Sequence, residues 1–294
     1  MNAGSVFAAL AFVWWGLFPL YFRLVQGVPP AEVLAHRIVW CVVFLSIVLS
    51  GRRQWAWLPK VLRAPKVLGA FAISALLIAG NWLTYIWSVN NDHVVDASLG
   101  YFVTPLVNVL LGTTLLHERL RPLQWIALAI AGLGVVWLTW QAGHLPWIAL
   151  VLAISFGGYG LLRKVAALGA LEGLALETLL LAPLALAALA IGTLRGTGVF
   201  PAAGIGTVLW LIALGPITAV PLLLFAAAAR RLSMTALGLL QYIGPTIQFM
   251  LGIWVFREPF SWVQLLGFAC IWIALALYSA DGWYRSRQAS AVPA

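Results

Sequence analysis

Charged side chains are scarce in this chain of 294 residues, of which only 9% are Asp, Glu, Lys or Arg. Soluble globular domains carry about 25%, so this composition excludes an ordinary soluble protein. The chain has 8 Asp and Glu against 17 Lys and Arg, and its two cysteines are Cys41 and Cys270. Both cysteines lie in apolar runs without metal-ligand spacing, which excludes a disulfide framework and a zinc site. We therefore expect no metal and no cofactor.

The sequence also lacks the motifs of ATP-driven and enzymatic proteins. It contains no G-x-x-x-x-G-K-[ST] phosphate loop. Intramembrane hydrolases need a nucleophile with a base, paired aspartates or a metal site. Here no Asp lies within an apolar run, H-E-x-x-H is absent, and Ser155 has no histidine near it in its own run. We therefore predict that the protein is not an enzyme.

Long apolar runs dominate what is present, since 63% of the residues are hydrophobic. A helix of about 20 apolar residues spans the ~30 Å hydrocarbon core of a bilayer. The pattern therefore predicts an all-α polytopic membrane protein with ten transmembrane helices in a lipid bilayer. The runs are 4–23, 31–50, 67–89, 97–116, 122–140, 145–162, 172–194, 206–228, 234–256 and 261–280.

The first half of the sequence recurs at an offset of 140 residues. Five runs per half is an odd number, which forces the second copy to enter the bilayer from the opposite side, as in many secondary transporters. We therefore predict two inverted five-helix repeats, residues 1–143 and 144–294. The corresponding pairs are Glu32 with Glu172, Arg37 with Glu177, Pro105 with Pro245, Gly112 with Gly252, Glu118 with Glu258, and Gln124 with Gln264.

Basic residues are distributed unevenly between the loops. If the N-terminus is cytoplasmic, most of the 17 Lys and Arg fall in cytoplasmic segments, among them Arg163 and Lys164. The 90–96 loop on the opposite side carries Asp92 and Asp96 and no basic residue. This is the positive-inside pattern. It predicts that both termini are cytoplasmic and that the net charge of +9 reflects topology rather than a nucleic-acid partner.

Two ionisable residues lie within apolar runs, where a charge is costly and indicates function. Arg37 and Glu177 each fall about six residues, or ~9 Å, inside their runs. Their Cα atoms are then ~12 Å apart along the membrane normal. We predict that both face a central cavity, where Arg37 attracts anionic substrate groups and Glu177 binds a coupling proton. The alternative is that neighbouring backbone satisfies each side chain and that both only orient helices.

Aromatic and amide side chains lie next to one another in several runs. A cavity for amphipathic solutes needs flat apolar walls and a few orienting hydrogen bonds, although polar groups also join helices. Pro105 and Pro245 occupy corresponding positions in runs four and nine, where kinks suit hinges for alternating access or simple packing. Besides Arg37 and Glu177, the predicted substrate-binding residues are Trp14, Tyr21, Asn81, Trp82, Tyr85, Tyr101, Tyr159, Gln241 and Tyr242.

Six stretches of the chain resemble one known family. They begin at Trp14 (WWGLFPLYF), Asn81 (NWLTYIWSVN), Ala97 (ASLGYFVTPLVN), Ser155 (SFGGYGLLRK), Glu177 (ETLLLAP) and Gln241 (QYIGPT). Together they resemble the RarD proteins of the EamA branch of the drug/metabolite transporter superfamily, over nearly the whole chain. The resemblance implies ten helices in two inverted repeats, a bacterial inner membrane, and movement of small organic molecules, commonly by export. One difference is Thr104, where those proteins usually have Asn.

The residues and the resemblance favour one function. We predict a secondary-active or facilitative transporter that exports a small organic metabolite or drug by alternating access. Its partners are the small-molecule substrate, the bilayer and, if Glu177 couples transport, protons. The alternative is a lipid flippase or a non-transporting membrane protein. A groove open sideways to the bilayer, in place of a closed polar pocket, favours that alternative.

Overall fold

The structure is a computed structural model. It describes residues 3–25, 27–90, 94–142, 147–200 and 204–255, together with residues 265–280 except 268, 271, 275 and 279. The predicted join between two repeats, at residues 143 and 144, lies outside this part of the chain, as do Asp92, Glu258 and Gln264.

Every regular element between residues 3 and 255 of the described chain is helical. Three of the long helices begin with a proline, at Pro30, Pro65 and Pro122. Proline is favoured at the first helical position because it has no N–H to leave unpaired. The helices are α1 (Ala3–Gly16), α2 (Phe18–Phe22), α3 (Pro30–Gly51), α4 (Leu58–Leu62), α5 (Pro65–Asn90), α6 (Val94–Leu115), α7 (Pro122–Ala142), α8 (Trp147–Val165), α9 (Ala170–Leu194), α10 (Gly204–Ala229), α11 (Met234–Gln241) and α12 (Ile243–Trp254).

Within the described residues, seven helical stretches are long and apolar enough to cross a membrane. Their outward surfaces carry large apolar side chains, such as Trp140 with 80% of its surface exposed. Lipid tolerates such surfaces and water does not. The seven are Ala3–Val25, Pro30–Gly51, Pro65–Ser88, Pro122–Trp140, Trp147–Val165, Ala170–Leu194 and Gly204–Ala229.

The remaining predicted runs differ from these seven. The run 97–116 lies in α6, where the apolar helical segment Gly100–Leu115 is shorter. The run 234–256 is divided into α11 and α12. The run 261–280 falls only partly within the described residues.

The helices before residue 143 pack mainly against helices that follow it. Helix α3 lies against α9 and α10, α6 lies against α8 and α11, and α1 lies against α10 and α12. Glycines allow the closest approaches, since a Cβ at Gly215 would lie 2.3 Å from the carbonyl oxygen of Trp40. Small residues at such crossings are typical of helix packing in membranes. The two sequence halves are therefore interlocked.

Candidate functional site

A central cavity lies among helices from both parts of the chain. Its volume is about 80 Å³ for the centres of water-sized molecules, and one water needs about 10–15 Å³ on that measure. The centre of the molecule therefore has room for several waters or part of a solute. The lining residues are Phe12, Trp15, Phe18, Phe22, Arg37, Asn81, Trp82, Tyr85, Tyr101, Thr104, Leu152, Phe156, Gln241, Gly244, Pro245 and Gln248.

Arg37 is the charged residue of this lining. It lies seven residues after Pro30, where α3 begins, and only 6% of its surface is exposed. Its Nε donates a hydrogen bond of 2.9 Å to Oγ1 of Thr218, on α10. Its guanidinium carbon lies 4.0 Å from the ring centroid of Trp82, a cation–π distance. The side chain is thus fixed in orientation by α5 and α10.

Aromatic rings form much of the cavity wall. The ring centroids of Trp15 and Phe156 are 5.5 Å apart, with their planes nearly perpendicular. Those of Tyr85 and Tyr101 are 5.9 Å apart. These are the edge-to-face distances at which aromatic rings stabilise one another. These rings therefore give the cavity flat apolar surfaces, and contacts between the rings stabilise their positions.

Three amides add polar groups to the wall, and each has one end bound within the protein. Nδ2 of Asn81 donates to the carbonyl oxygen of Leu152 at 2.9 Å and to Oγ of Ser155 at 3.0 Å. Nε2 of Gln248 donates to the carbonyl oxygen of Trp15 at 3.2 Å. Oε1 of Gln241 accepts from Nδ2 of Asn108 at 3.0 Å. The other end of each amide is left for a molecule in the cavity.

Seven of the residues singled out from the sequence line this cavity: Arg37, Asn81, Trp82, Tyr85, Tyr101, Gln241 and Pro245. Three others make contacts between helices. Trp14 is 39% exposed, and its Nε1 donates to the carbonyl oxygen of Ile217 at 3.1 Å. The hydroxyl of Tyr21 donates to the carbonyl oxygen of Trp210. The hydroxyl of Tyr242 donates to the carbonyl oxygen of Phe102 at 3.3 Å.

Glu177 does not line the central cavity, and here the expectation that it shares a cavity with Arg37 is corrected. It is fully buried in a separate group, the Glu177 cluster, with Ser74, Tyr159 and Arg163. Oγ of Ser74 donates to Oε1 of Glu177 at 2.6 Å, and the hydroxyl of Tyr159 donates to Oε2 at 3.4 Å. Nη1 of Arg163 lies 3.6 Å from Oε1. The carboxylate therefore already has a cationic partner.

The side chain of Arg163, which the sequence analysis assigned only to a cytoplasmic segment, is buried. It lies in the last turn of α8 with 1% of its surface exposed. Its Nη2 donates to the carbonyl oxygens of Gly169 and Ala170, at 3.3 and 3.0 Å. The absence of a side chain at Gly173 makes room for it, because a Cβ there would lie 1.9 Å from Nη1. The pairing of Arg163 with Glu177 explains its burial.

The two prolines proposed as hinges occupy unlike settings. Pro105 lies inside α6, which is continuous from Val94 to Leu115. Pro245 lies in the first turn of α12, just after Tyr242 separates α11 from α12, and it lines the cavity. Proline lacks the N–H that an upstream carbonyl would accept, so a break at this point is physically consistent.

Several lining residues were missed as site residues from the sequence. Phe12, Phe18, Phe22, Leu152 and Phe156 look like ordinary apolar residues of a membrane helix, and no local pattern separates them. Trp15 and Gln248 carry the same signals as residues that were selected, a ring or an amide within an apolar run. Thr104 is buried, and its hydroxyl donates to the carbonyl oxygen of Gly100 at 2.6 Å.

The described residues contain no group of three or more His, Cys, Asp or Glu that could hold a metal ion. Helices able to cross a membrane, packed around an aromatic cavity with amide groups, are typical of a multi-pass membrane protein with an internal cavity for a small organic molecule. Comparisons with known proteins identify the family to which the chain belongs.

The model of the EamA-like transporter family matches residues 2–140. Protein RarD of Escherichia coli is 44% identical to this chain, over 98% of this chain and 97% of the relative. Protein RarD of Streptomyces exfoliatus is 42% identical, over 99% and 92%. The uncharacterized transporter YojE of Bacillus subtilis is 45% identical, over 94% and 93%. This chain therefore belongs to the RarD proteins of the EamA-like transporter family.

A solved structure shares the fold. A crystal structure of another protein matches with a TM-score of 0.71 at 20% sequence identity. The match covers 94% of this chain and 97% of the other. At that identity the likeness concerns the arrangement of helices alone.

Proposed function

We propose that this protein is a secondary transporter that exports a small organic solute by alternating access around the central cavity. The observation that carries the proposal is the composition of the lining. Ten lining residues lie between positions 12 and 104, and six lie between 152 and 248. A solute bound there contacts both sequence halves at once, so relative movement of their helices changes its access to either side.

The proposal includes ten membrane-spanning helices arranged as two inverted repeats, residues 1–143 and 144–294. Helices α1 and α2 form the first span, α11 and α12 form the ninth, and residues 265–280 belong to the tenth. The 140-residue offset between corresponding residues supports this arrangement. The uneven distribution of Lys and Arg supports cytoplasmic termini, with the inner membrane of a bacterium as the location.

Two acidic residues of the first half support the inverted arrangement. Glu32, at the start of α3, accepts hydrogen bonds from the backbone N–H groups of Val199 and Phe200. Glu118, just after α6, accepts them from Met234 and Thr235. In the proposed topology these contacts lie at opposite ends of the molecule, and each joins the first half to the second.

Transport is tested by solute counterflow with the purified protein in liposomes, using amino acids, aromatic metabolites and chloramphenicol. We expect Trp15→Ala, in the cavity wall, to reduce counterflow at least about tenfold, a loss typical of a side chain that positions a solute. Trp140→Ala, on the exposed surface, is the matched control and should remain within about twofold, because surface changes rarely have larger effects. Counterflow of no solute, or scrambling of labelled phospholipid instead, would overturn the proposal.

Proton coupling through Glu177 remains part of the proposal and has a separate test. Glu177→Gln should abolish the dependence of transport on an imposed pH gradient if this carboxylate carries the proton. Because the substitution leaves Arg163 unpaired, the double variant Glu177→Gln/Arg163→Met controls for misfolding. Unchanged pH dependence in a folded variant would leave a facilitator whose solute runs down its own gradient.

A further inference from the structure

The central cavity has a positive charge with no negative partner in the described chain. Among the described residues, the carboxylate of Glu32 lies near His36 and that of Glu177 lies near Arg163, and neither pairs with Arg37. None of the described residues that line the cavity is acidic. A buried charge in a membrane protein is costly unless it is paired or serves a ligand. The contrast with Arg163, which has a carboxylate within 3.6 Å, makes the unpaired state of Arg37 informative.

The contacts of Arg37 hold its side chain without occupying its end. The bond from Nε to Thr218 uses the nitrogen nearest the chain. The ring of Trp82 lies against the guanidinium at 4.0 Å, and that of Phe18 lies at 5.7 Å. The structure gives no hydrogen-bond partner in the described chain to the two terminal nitrogens. Two parallel N–H donors on a fixed planar group match the two oxygens of a carboxylate.

The rest of the wall suits a flat apolar body. Rings of Trp15, Phe18, Trp82 and Phe156 surround the space beside Arg37. Oδ1 of Asn81 and Oε1 of Gln248 have no partner among the described residues, so they are acceptors for one further polar group of a ligand. An organic amine finds only neutral acceptors among the described lining residues and meets the charge of Arg37. The wall therefore discriminates by charge as well as by shape.

We infer that the central cavity selects small organic anions with an aromatic or similarly flat apolar part, and that Arg37 binds their carboxylate. This inference rests on the proposed transport function, for which it names the substrate class. Neutral analogues of the same shape bind more weakly, because they leave the guanidinium without a counter-charge. Cationic amines of the same shape are excluded.

The test compares three ligands that share one carbon skeleton and differ in charge. 3-Phenylpropanoate, 3-phenylpropanamide and 3-phenylpropylamine are titrated against the purified protein in neutral detergent, and binding is followed by calorimetry and by tryptophan fluorescence. We expect the carboxylate to bind about 10- to 100-fold more tightly than the amide, which is the contribution of hydrogen bonds to charged groups. The amine should not bind.

Variants assign the selectivity to one residue. Arg37→Gln should abolish the preference for the carboxylate over the amide, and Arg37→Lys should retain part of it, because lysine keeps the charge but not the paired donors. Arg231→Gln is the control, since Arg231 is exposed and its Nη1 donates to the carbonyl oxygen of Ala227. It should leave all three affinities unchanged. The thermal unfolding of each variant is measured first, and Arg37→Lys keeps the test usable if Arg37→Gln does not fold.

The outcomes separate this inference from the transport function. Equal binding of all three ligands, tighter binding of the amine, or no binding of the carboxylate overturns the anion selectivity. So does competition by phosphatidylglycerol with no binding of the carboxylate, since Arg37 would then serve a lipid headgroup. If the protein still catalyses counterflow of some other solute in those cases, the proposed transport function is supported and only the proposed substrate class is wrong.

Discussion

Single residues in this molecule show two ways of accommodating a buried arginine. Arg163 is matched by Glu177, by two hydroxyl groups on that carboxylate, and by two backbone carbonyls. Arg37 has a hydroxyl and an aromatic ring but no carboxylate in the described chain. The charge of Arg163 is paired within the protein by Glu177, although its Nε and Nη1 have no hydrogen-bond partner among the described residues. The charge of Arg37 is paired by a ligand if our inference is correct. The two buried arginines therefore have different roles.

The Glu177 cluster depends on the space at Gly173. A Cβ there would lie 1.9 Å from Nη1 of Arg163 and 2.8 Å from the ring of Phe71. We expect Gly173→Ala to lower the free energy of unfolding by about 1–3 kcal/mol, the usual cost of overpacking. Thermal unfolding in detergent measures the change. Gly80→Ala is the control, because nothing lies within 4 Å of a Cβ at Gly80; equal stability of the two variants would contradict the prediction.

The helical elements were largely predictable from the sequence, but the hydropathy of runs 4–23 and 234–256 did not indicate that each is divided into two helices. The apolar runs 31–50 and 206–228 closely match α3 and α10, which span Pro30–Gly51 and Gly204–Ala229. Apolar composition fixes such segments because an unpaired backbone cannot lie in lipid. The break at Tyr242 lies inside a run that is apolar on both sides, so hydropathy alone gives no sign of it. Pro245 was the available signal.

Pro245 offers a test of whether this break serves movement. We expect Pro245→Ala to restore a backbone donor, join α11 to α12, and slow counterflow about tenfold, which corresponds to roughly 1.4 kcal/mol on the barrier. Ligand affinity should change much less, so binding and counterflow are measured on the same preparation. Pro183→Ala is the control, since Pro183 is exposed within the continuous helix α9. A loss of rate equal to that of the control would show that the break serves packing.

At the scale of the whole molecule, helices of one predicted sequence repeat pack against helices of the other repeat more than against one another. Helices α3 and α6 lie against α9, α10, α8 and α11, all from beyond residue 147. The sequence predicts how deep a residue lies along its own helix, which is why Arg37 and Asn81 could be selected. It does not say which helix lies opposite. The partnership of Arg163 with Glu177 and the phenylalanines of the cavity therefore required the structure.

The two carboxylates that join the halves should act independently. Glu118→Gln removes the charge that accepts from Met234 and Thr235. We expect hydrogen exchange at these two amides to quicken about tenfold or more, as hydrogen bonds to charged groups contribute roughly 1.5–3 kcal/mol. The amides of Val199 and Phe200, bound to Glu32, are the internal control and should not change. Glu32→Gln should give the reverse pattern, and faster exchange at both places in either variant would indicate that the contacts are coupled.

Glu32 accepts hydrogen bonds from main-chain N–H groups. The contact therefore depends on the path of the backbone and not on which side chains residues 199 and 200 carry. Nineteen of the twenty amino acids supply an N–H, and proline does not. Val199 is only half-buried, and both oxygens of Glu32 accept from its nitrogen. A saturation library at Val199, scored for folded protein, should therefore single out proline among residues of similar size. Substitutions other than proline can therefore change the side chains at these positions while the contact of Glu32 with the second half of the chain is kept.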